Sequence, residues 1–266
     1  MAIPDRFSVL TFNIRFGLAD DGENAWRFRK AVFRPLFQRH AADFMAFQEV
    51  NRFQADDLAD ILTDWGRVGL RSPAPSFWQN NVIFFRRPWR CRSVDHFFLS
   101  PTPDIPSRFR ESRWPRQCTL ACFEREGREI LCISTHFDFK EAVQTASAAI
   151  LLKRLSRHSA AIPAILMGDF NASPDAPCHR VFVPGESDPA QGEGTGAGFR
   201  NAFAPPYPAT HHGFSGATIG EHIDWILYRG ALRLERAAVI HDRFDGRYPS
   251  DHFPVRAEFR WEPVAA

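Results

Sequence analysis

Lysine is scarce in this sequence: Lys30, Lys140 and Lys153 are the only three among 33 basic residues, leaving 33 − 3 = 30 arginines. The net charge is only +2 and the isoelectric point is near 8.4, short of the value above about 9 that marks a dedicated nucleic-acid-binding domain. Cysteine is sparse as well. Cys91, Cys118, Cys122, Cys132 and Cys178 form no C-x-x-C pair, and their odd number excludes a fully paired disulfide framework, so reduced thiols are expected. Histidines gather toward the C-terminus (His211, His212, His222, His241, His252), but no His-Glu-x-x-His or Cys/His spacing of a structural zinc site occurs. Long apolar runs are missing: nothing reaches the ~20 residues of a membrane span, and no basic segment followed by an apolar one opens the chain. These absences predict a cytoplasmic chain with no membrane segment and no obligate protein partner.

Aromatic and apolar residues are abundant: 44% of the chain is hydrophobic and 26 residues are Phe. A chain of this length can bury a large core, and without an internal repeat or a long linker it reads as one domain over residues 1–266. Apolar runs at 6–13, 43–50, 81–86, 92–99, 117–124, 130–135, 223–228, 232–240 and 255–259, with another starting at Ala164, predict strands. Helices are expected over 53–65 and 141–158, and from Trp26 with Asn24 as cap and Pro35 kinking or dividing it. Ser173 reads as a further helix cap with Pro174 at the first helical position. Residues 184–198, rich in Gly, Pro and acidic side chains, predict a mobile surface loop.

The motifs that carry chemistry sit at strand ends. Ile165-Leu166-Met167-Gly168-Asp169-Phe170-Asn171 closes an apolar run with polar residues at i and i+2, which share one face of a strand. Leu131-Cys132-Ile133-Ser134-Thr135-His136-Phe137-Asp138 repeats the pattern with His136 and Asp138, and Ser8-Val9-Leu10-Thr11-Phe12-Asn13-Ile14-Arg15 repeats it with Asn13 and Arg15. Phe47-Gln48-Glu49 adds a carboxylate, His222-Ile223-Asp224 another, and Pro249-Ser250-Asp251-His252-Phe253-Pro254 a third beside an imidazole. Adjacent residues cannot share a strand face, so Asp251 and His252 are expected in a turn that aims both inward. Any one of these motifs is unspecific; the set predicts a single polar cluster gathered from distant sequence.

In this order, from Asn13 to Val255, the motifs resemble the endonuclease/exonuclease/phosphatase superfamily of metal-dependent phosphoesterases. The resemblance implies an α/β (α+β) fold, a four-layer α/β/β/α DNase-like sandwich of two mixed β-sheets with outer helices, and a site at one edge. Water attacks a phosphate ester only when the negative charge is neutralised and the water oriented, and Mg²⁺ or Mn²⁺ does the first through hard oxygen ligands. Glu49 is the leading metal ligand, with Asp251 a second, bound directly or through water. Asn13, at a position the resemblance supports, holds the metal or a phosphate oxygen. Asp169 suits the orientation and deprotonation of water, and Asn171 a hydrogen bond to the scissile phosphate. His252 would stabilise the pentavalent phosphorane or polarise water, oriented, by resemblance, by Asp224. His136 would meet a phosphate oxygen or protonate the leaving group, the role its counterpart has in DNase-like members, and Asp138 would orient His136 or a water.

The substrate is less legible. Arginines interleaved with aromatics at 86–92 and 108–116 suit phosphate clamping and base stacking, or else form solvated hairpin tips; Arg113 and Arg116 are the choices for substrate contact. Thr210-His211-His212-Gly213-Phe214 suggests a rim on which His212 or Phe214 meets the leaving group or base. Glu49 is followed by Val50-Asn51 where abasic-site endonucleases have Lys, and Phe-Asn-Ile-Arg-Phe-Gly around Asn13 looks more like a branch of small bacterial hydrolases. The leading expectation is a phosphodiesterase acting on nucleic acid or nucleotides. A phosphomonoesterase for a sugar or inositol phosphate is the alternative, and a non-catalytic binding module is disfavoured because every expected polar position is filled.

Overall fold

The computed structural model describes residues 5–184 and 198–262; apart from its two end residues, the predicted loop at 184–198 lies outside them. The strands form two six-stranded mixed sheets. The first runs, in spatial order, β11 (Leu232–Val239), β12 (Val255–Trp261), β1 (Arg6–Asn13), β2 (Phe44–Val50), β4 (Asn80–Arg86), β3 (Trp65–Val68). The second runs β5 (Arg90–Phe98), β6 (Gln117–Arg125), β7 (Arg128–His136), β8 (Ala164–Asp169), β10 (Asp224–Arg229), β9 (Arg200–Asn201). Each sheet has one central parallel pair, β1 with β2 and β7 with β8. The C-terminal ends of these four strands come out on one side of the sandwich.

Both faces of the central strands are covered, which is why they read as continuous apolar runs rather than alternating ones. Phe7, Val9, Phe44 and Ile83 of the first sheet face Phe123, Cys132, Ile165, Met167 and Ile226 of the second. On the outside, Leu10, Phe12, Met45 and Phe47 meet Phe33, Leu36 and Phe37 of α2 (Phe33–His40). Leu131, Ile133, Leu166 and Leu227 meet Ala148, Leu151 and Leu155 of α4 (Glu141–Leu155). The result is the expected α/β/β/α layering. Many of the Phe side chains pair across its layers, Phe44 with Phe123 at 5.0 Å between the sheets and Phe37 with Phe47 at 5.7 Å from helix to sheet. No helix among the described residues is long and apolar enough to cross a membrane.

Several local expectations fail for identifiable reasons. The helix expected over 53–65 is α3 (Arg52–Ala59), with Asn51 and Gln54 forming a reciprocal capping box. Trp65 instead opens β3, because pairing with Arg86, whose guanidinium lies 4.8 Å from the indole, outweighs helical periodicity. The first helical region divides upstream of Pro35: α1 (Trp26–Arg29) passes through a 3₁₀ turn, Lys30–Val32, before α2 begins. Pro35 then occupies the first turn of α2, where a missing N–H goes unnoticed. Asn24 does not cap α1, since Ala25 holds that position without a side-chain bond. Nor does Ser173 cap a helix. Its carbonyl accepts from the Ala176 N–H at 3.0 Å, and α5 (Pro177–Phe182) starts one turn later with Pro177 in the first position.

Gly168 marks the closest backbone approach beneath the strand ends: a Cβ there would lie 2.0 Å from the carbonyl oxygen of Thr135 on β7. Gly168→Ala is expected to destabilise the protein by about 1–3 kcal/mol, the cost of overpacking. Denaturant unfolding checks this, and an unchanged midpoint would mean that β8 can move away from β7 freely.

Candidate active site

Strand register builds the centre of the site. Asp169 sits opposite His136 in the β7–β8 ladder and opposite Asp224 in the β8–β10 ladder, so three strand ends place three titratable side chains in one row. The neighbouring sheet contributes Asn13, whose Nδ2 donates to Asp169 Oδ2 at 2.9 Å and to Glu49 Oε1 at 3.1 Å. His136 Nε2 and His252 Nε2 lie 3.4 and 3.8 Å from the same Asp169 Oδ2. His252 Nδ1 is 2.9 Å from Asp224 Oδ2. Asn171, in left-handed backbone (φ 48°), donates its own N–H to Asp169 Oδ1 at 2.9 Å and its Nδ2 to Phe137 O at 3.0 Å.

Asp169 is 1% exposed, and that burial is the main reason its carboxyl is pushed up to about 7; Asp224 adds to the rise, while His252 and the bonds from Asn13 and Asn171 oppose it. Burial works against a charged His252, yet Asp224, Asp169 and Asp251 together outweigh it and raise the ring to about 10. His136 goes the other way. Burial, with Arg116 and His252 nearby, holds it well below the usual imidazole range, and its Nε2 lies 3.0 Å from Arg116 Nη1, so the neutral ring accepts there. Two histidines in one cluster are thereby set in opposite protonation states.

The remaining members come from an irregular strand end and from a turn. Glu49 adopts left-handed backbone (φ 62°) in the stretch where the β2–β4 register shifts, and its Oε2 accepts the Phe16 N–H at 2.7 Å. Asp251 and His252 lie in a turn before β12, as adjacency required. Ser250 Oγ donates to Asn13 O at 2.7 Å and lies 3.0 Å from Asp251 Oδ1. Burial pushes Asp251 up, but His252, Arg15 and Ser250 prevail and hold it below the ordinary carboxylate value. Arg29, only 1% exposed, ties these loops together. Its guanidinium donates to the carbonyls of Asn24, Ile14, Arg15 and Pro249 at 2.7–3.0 Å.

A cavity of about 250 Å³ opens over this cluster, lined by Glu49, His136, Asp169, Asn171, Asp251 and His252 among the expected residues. Asn13 and Asp224 lie behind them as hydrogen-bond partners. Four expectations fall elsewhere. Arg113 is exposed and lies over the Trp114 ring at 5.0 Å, clear of the cavity. His212 is buried, stacks on Phe253 at 3.9 Å and accepts the Gly216 N–H at Nδ1. Phe214 lies 5.9 Å over Arg29. Asp138 does not contact His136; its Oδ1 accepts the Lys140 N–H in a turn leading into α4. Arg116 does reach the cluster, through His136 rather than through the cavity wall.

Arg15, paired with Asn13 in the strand-end pattern, lines the cavity as well, and Phe139, His211, Glu221 and Ile223, which sequence reading missed, complete the lining. His211 was one residue from the one selected. Thr210 is buried, with its Oγ1 accepting the Ile223 and Asp224 N–H groups, so alternation sends 210 and 212 inward and 211 to the cavity. Arg29 carried no motif, and only the fold reveals its role. A larger depression of about 1010 Å³ lies at the other ends of the strands, around Asp5, Arg128 and Arg260. These three charges are already paired with one another.

The profile of the endonuclease/exonuclease/phosphatase family matches residues 10–252, spanning every member of this cluster. The chain belongs to that family of phosphoester hydrolases. An endonuclease/exonuclease/phosphatase family protein from Bacteroides thetaiotaomicron is similar in structure, with TM-score 0.83 and 25% identity over 97% of this chain and 98% of that one. A mannosyl-6-phosphatase from B. thetaiotaomicron VPI-5482 shares the fold at TM-score 0.84 and 24% identity, over 96% and 99%. So does D. rerio TDP2 complexed with single-strand DNA product, at TM-score 0.74 and 16% identity, over 96% and 99%. No curated protein matches the chain.

Removing the Arg29 guanidinium leaves four carbonyls to find new partners, each unsatisfied acceptor costing about 1–3 kcal/mol. Arg29→Met is therefore expected to lower stability by at least about 2–4 kcal/mol, read from denaturant unfolding. A variant as stable as the parent would mean that water replaces the guanidinium and the loops need no tie.

Proposed function

We propose that the chain is a divalent-metal-dependent hydrolase of small phosphate esters, with a sugar- or inositol-type phosphomonoester as its best-fitting substrate. The observation that carries this reading is the cavity. At about 250 Å³ it lies below the roughly 300–1,000 Å³ of sites for drug-sized ligands. Among the described residues Arg15 is the one Arg or Lys in its lining, beside the carboxylates of Glu49, Asp251 and Glu221. A polyanionic strand would be met by a row of cations; a single phosphoryl group on a polar alcohol needs no such row. The phosphodiester reading retains one observation of its own, the ring of Phe139 at the cavity, 69% exposed and placed as a base would need it.

The donor set fits a hard dication. Glu49 and Asp251 present carboxylate oxygens to one cavity, the Asn13 Nδ2 donating to Glu49 and so orienting it, and carboxylate ligands of this kind suit Mg²⁺ or Mn²⁺. Bound there, such an ion would neutralise charge on the phosphoryl and leaving oxygens. The protein's own groups do the rest. Asp169 takes a proton from water as the new P–O bond forms, and the bond to the leaving oxygen breaks with that oxygen taking a proton from solvent. The second N–H of Asn171 Nδ2 and the Nε2–H of His252 donate to phosphoryl oxygens. Asp224 keeps His252 charged and in one orientation. His136, neutral and accepting from Arg116, is better suited to fixing that guanidinium than to giving up a proton.

The pH dependence follows with its sign. The base form of Asp169 accumulates as pH rises through about 7, and the acid form of His252 is lost through about 10, so kcat/KM is expected to be bell-shaped between these limbs. Asp224→Asn removes a charge that raises both groups, and should move both limbs toward acid; fixed limbs would mean that other groups set the profile. Asp169→Asn should lower kcat by roughly 10²–10⁴-fold with metal affinity largely spared, whereas Glu49→Gln should weaken metal binding in calorimetry. Near-normal turnover in Asp169→Asn would remove it as the base.

The substrate class is tested by hydrolysis of p-nitrophenyl phosphate against bis(p-nitrophenyl) phosphate with Mg²⁺, Mn²⁺ or EDTA, followed by hexose 6-phosphates and inositol phosphates against single-stranded oligonucleotides. Faster metal-dependent release of phosphate from the monoesters is expected. Preference for the diester and the oligonucleotide would restore the nuclease reading.

A further inference from the structure

We propose that His211 and His252, with Asp251 as a carboxylate shared with the Glu49 side, form a second cation site at the mouth of the cavity, suited to zinc or another late first-row divalent ion, whose occupation inhibits turnover. One ligand atom from each of these residues lies within 4.8 Å of the others. Two ligands on one tetrahedral zinc are roughly 3.3 Å apart, given bonds of about 2.0–2.1 Å, and rotation of the exposed His211 side chain closes that gap. The backbone already fixes the trio. His211 bridges to His252 in antiparallel fashion, and the His212 and Gly213 N–H groups both donate to Asp251 O, at 2.8 and 3.0 Å.

An independent observation points the same way. Asp224 holds His252 at Nδ1, leaving Nε2 for the cavity, which is the carboxylate–imidazole arrangement that accompanies metal-bound histidine. The ring of His211 makes no hydrogen bond among the described residues and lies edge-on to His252 with centroids 4.7 Å apart. Two imidazoles and one carboxylate match zinc far better than magnesium, whereas the Glu49 side offers carboxylate oxygen. An ion bound at Nε2 of His252 displaces the proton of that nitrogen to solvent. Arg15 lies 3.6 Å from Asp251 Oδ2 and is held on its other side by Asp21, to which its Nε and Nη2 donate at 3.0 and 2.8 Å, so it does not close a hydrogen bond on Asp251. With Nε2 bound to an ion, His252 can no longer donate to a phosphoryl oxygen. The binding stands on geometry alone, and the inhibition rests on the phosphoesterase reading.

Calorimetric titration of Zn²⁺ into the full chain in excess Mg²⁺ tests the binding, together with the visible spectrum of Co²⁺ added in place of zinc. Wild type is expected to take up one Zn²⁺ and to give a Co²⁺ spectrum that shows nitrogen ligation. His211→Phe, and His211→Gln as a polar alternative, should weaken zinc by roughly 10–100-fold with no change in the unfolding midpoint. Equal zinc affinity in both variants, or no zinc uptake by wild type in Mg²⁺, would overturn the site. In a parallel assay, Zn²⁺ should inhibit Mg²⁺-supported hydrolysis of wild type at concentrations where the variants still turn over; equal inhibition of both would overturn the regulatory half. Absence of any turnover would count against the phosphoesterase reading and leave the calorimetric answer intact.

Discussion

A carboxylate that is almost wholly buried yet shared by two sheets is the constraint on which this structure turns. Asp169 accepts Asn13 from one sheet, stands beside His136 and Asp224 in the other, and has His252 of the turn before β12 at 3.8 Å. An isolated charge so deeply placed would cost several kcal/mol. The cluster offsets that cost with hydrogen bonds from Asn13 and Asn171 and with the opposite charge of His252, and what remains unbalanced appears as a carboxyl near neutrality. A group held there is poised to take and return protons at ordinary pH. The sandwich geometry is what makes this arrangement possible, since a parallel pair at the centre of each sheet brings four strand C-termini to one edge.

Strand ends alone would leave the cluster open, and the loops that close it are held by buried polar side chains bonded to backbone. Arg29 joins the segment after β1 to the one before β12. Gln144 of α4 donates to the carbonyls of Asp138 and Asn171, 2.7 and 2.9 Å away, joining the segments after β7 and β8. Thr210 accepts from Ile223 and Asp224 at the start of β10. Asn51 Oδ1 accepts the Gly17 N–H while its Nδ2 donates to Ser76 and Trp78, linking three loops beside Glu49. Each such bond is modest in water-exchange terms, about 0.5–1.5 kcal/mol, but leaving the buried carbonyls unpaired would cost more. The loops are therefore fixed by satisfaction of the backbone rather than by apolar packing.

How much of this was legible in the sequence depended on which kind of physics placed each residue. Asn13, Glu49, His136, Asp169 and Asp224 stand at the ends of strands or one residue away, where apolar runs stop abruptly; regular strand pairing sets the facing of His136, Asp169 and Asp224, while Glu49 is turned by the irregularity at the end of β2. The helices were read less well because their limits came from tertiary contacts: Trp65 was drawn into β3 by Arg86, and α5 began at Pro177 rather than at Pro174. Rim residues were read least well. His212 and Phe214 looked suitable by chemistry, yet which of three consecutive residues faces the cavity is decided by Thr210 and its distant partners. Arg29, Gln144 and Asn51 act through backbone carbonyls and amides, a role with no residue pattern in sequence.

The same division bears on function. In the proposed reading, residues fixed by strand register supply the reaction centre, and register is what a shared fold preserves even at low identity. The cavity wall is built differently: Phe139 follows β7, while His211, Glu221 and Ile223 belong to the connection between β9 and β10. Those loops can change length and side chains without disturbing a single ladder bond of the two central pairs. Chemistry and selectivity thus rest on physically separate supports, so fold likeness to proteins as different as a mannosyl-6-phosphatase and a DNA-bound TDP2 speaks to the former and is nearly silent on the latter. For this chain the wall is short of cations and narrow, and it is that wall, rather than the shared fold, that argues for a small ester.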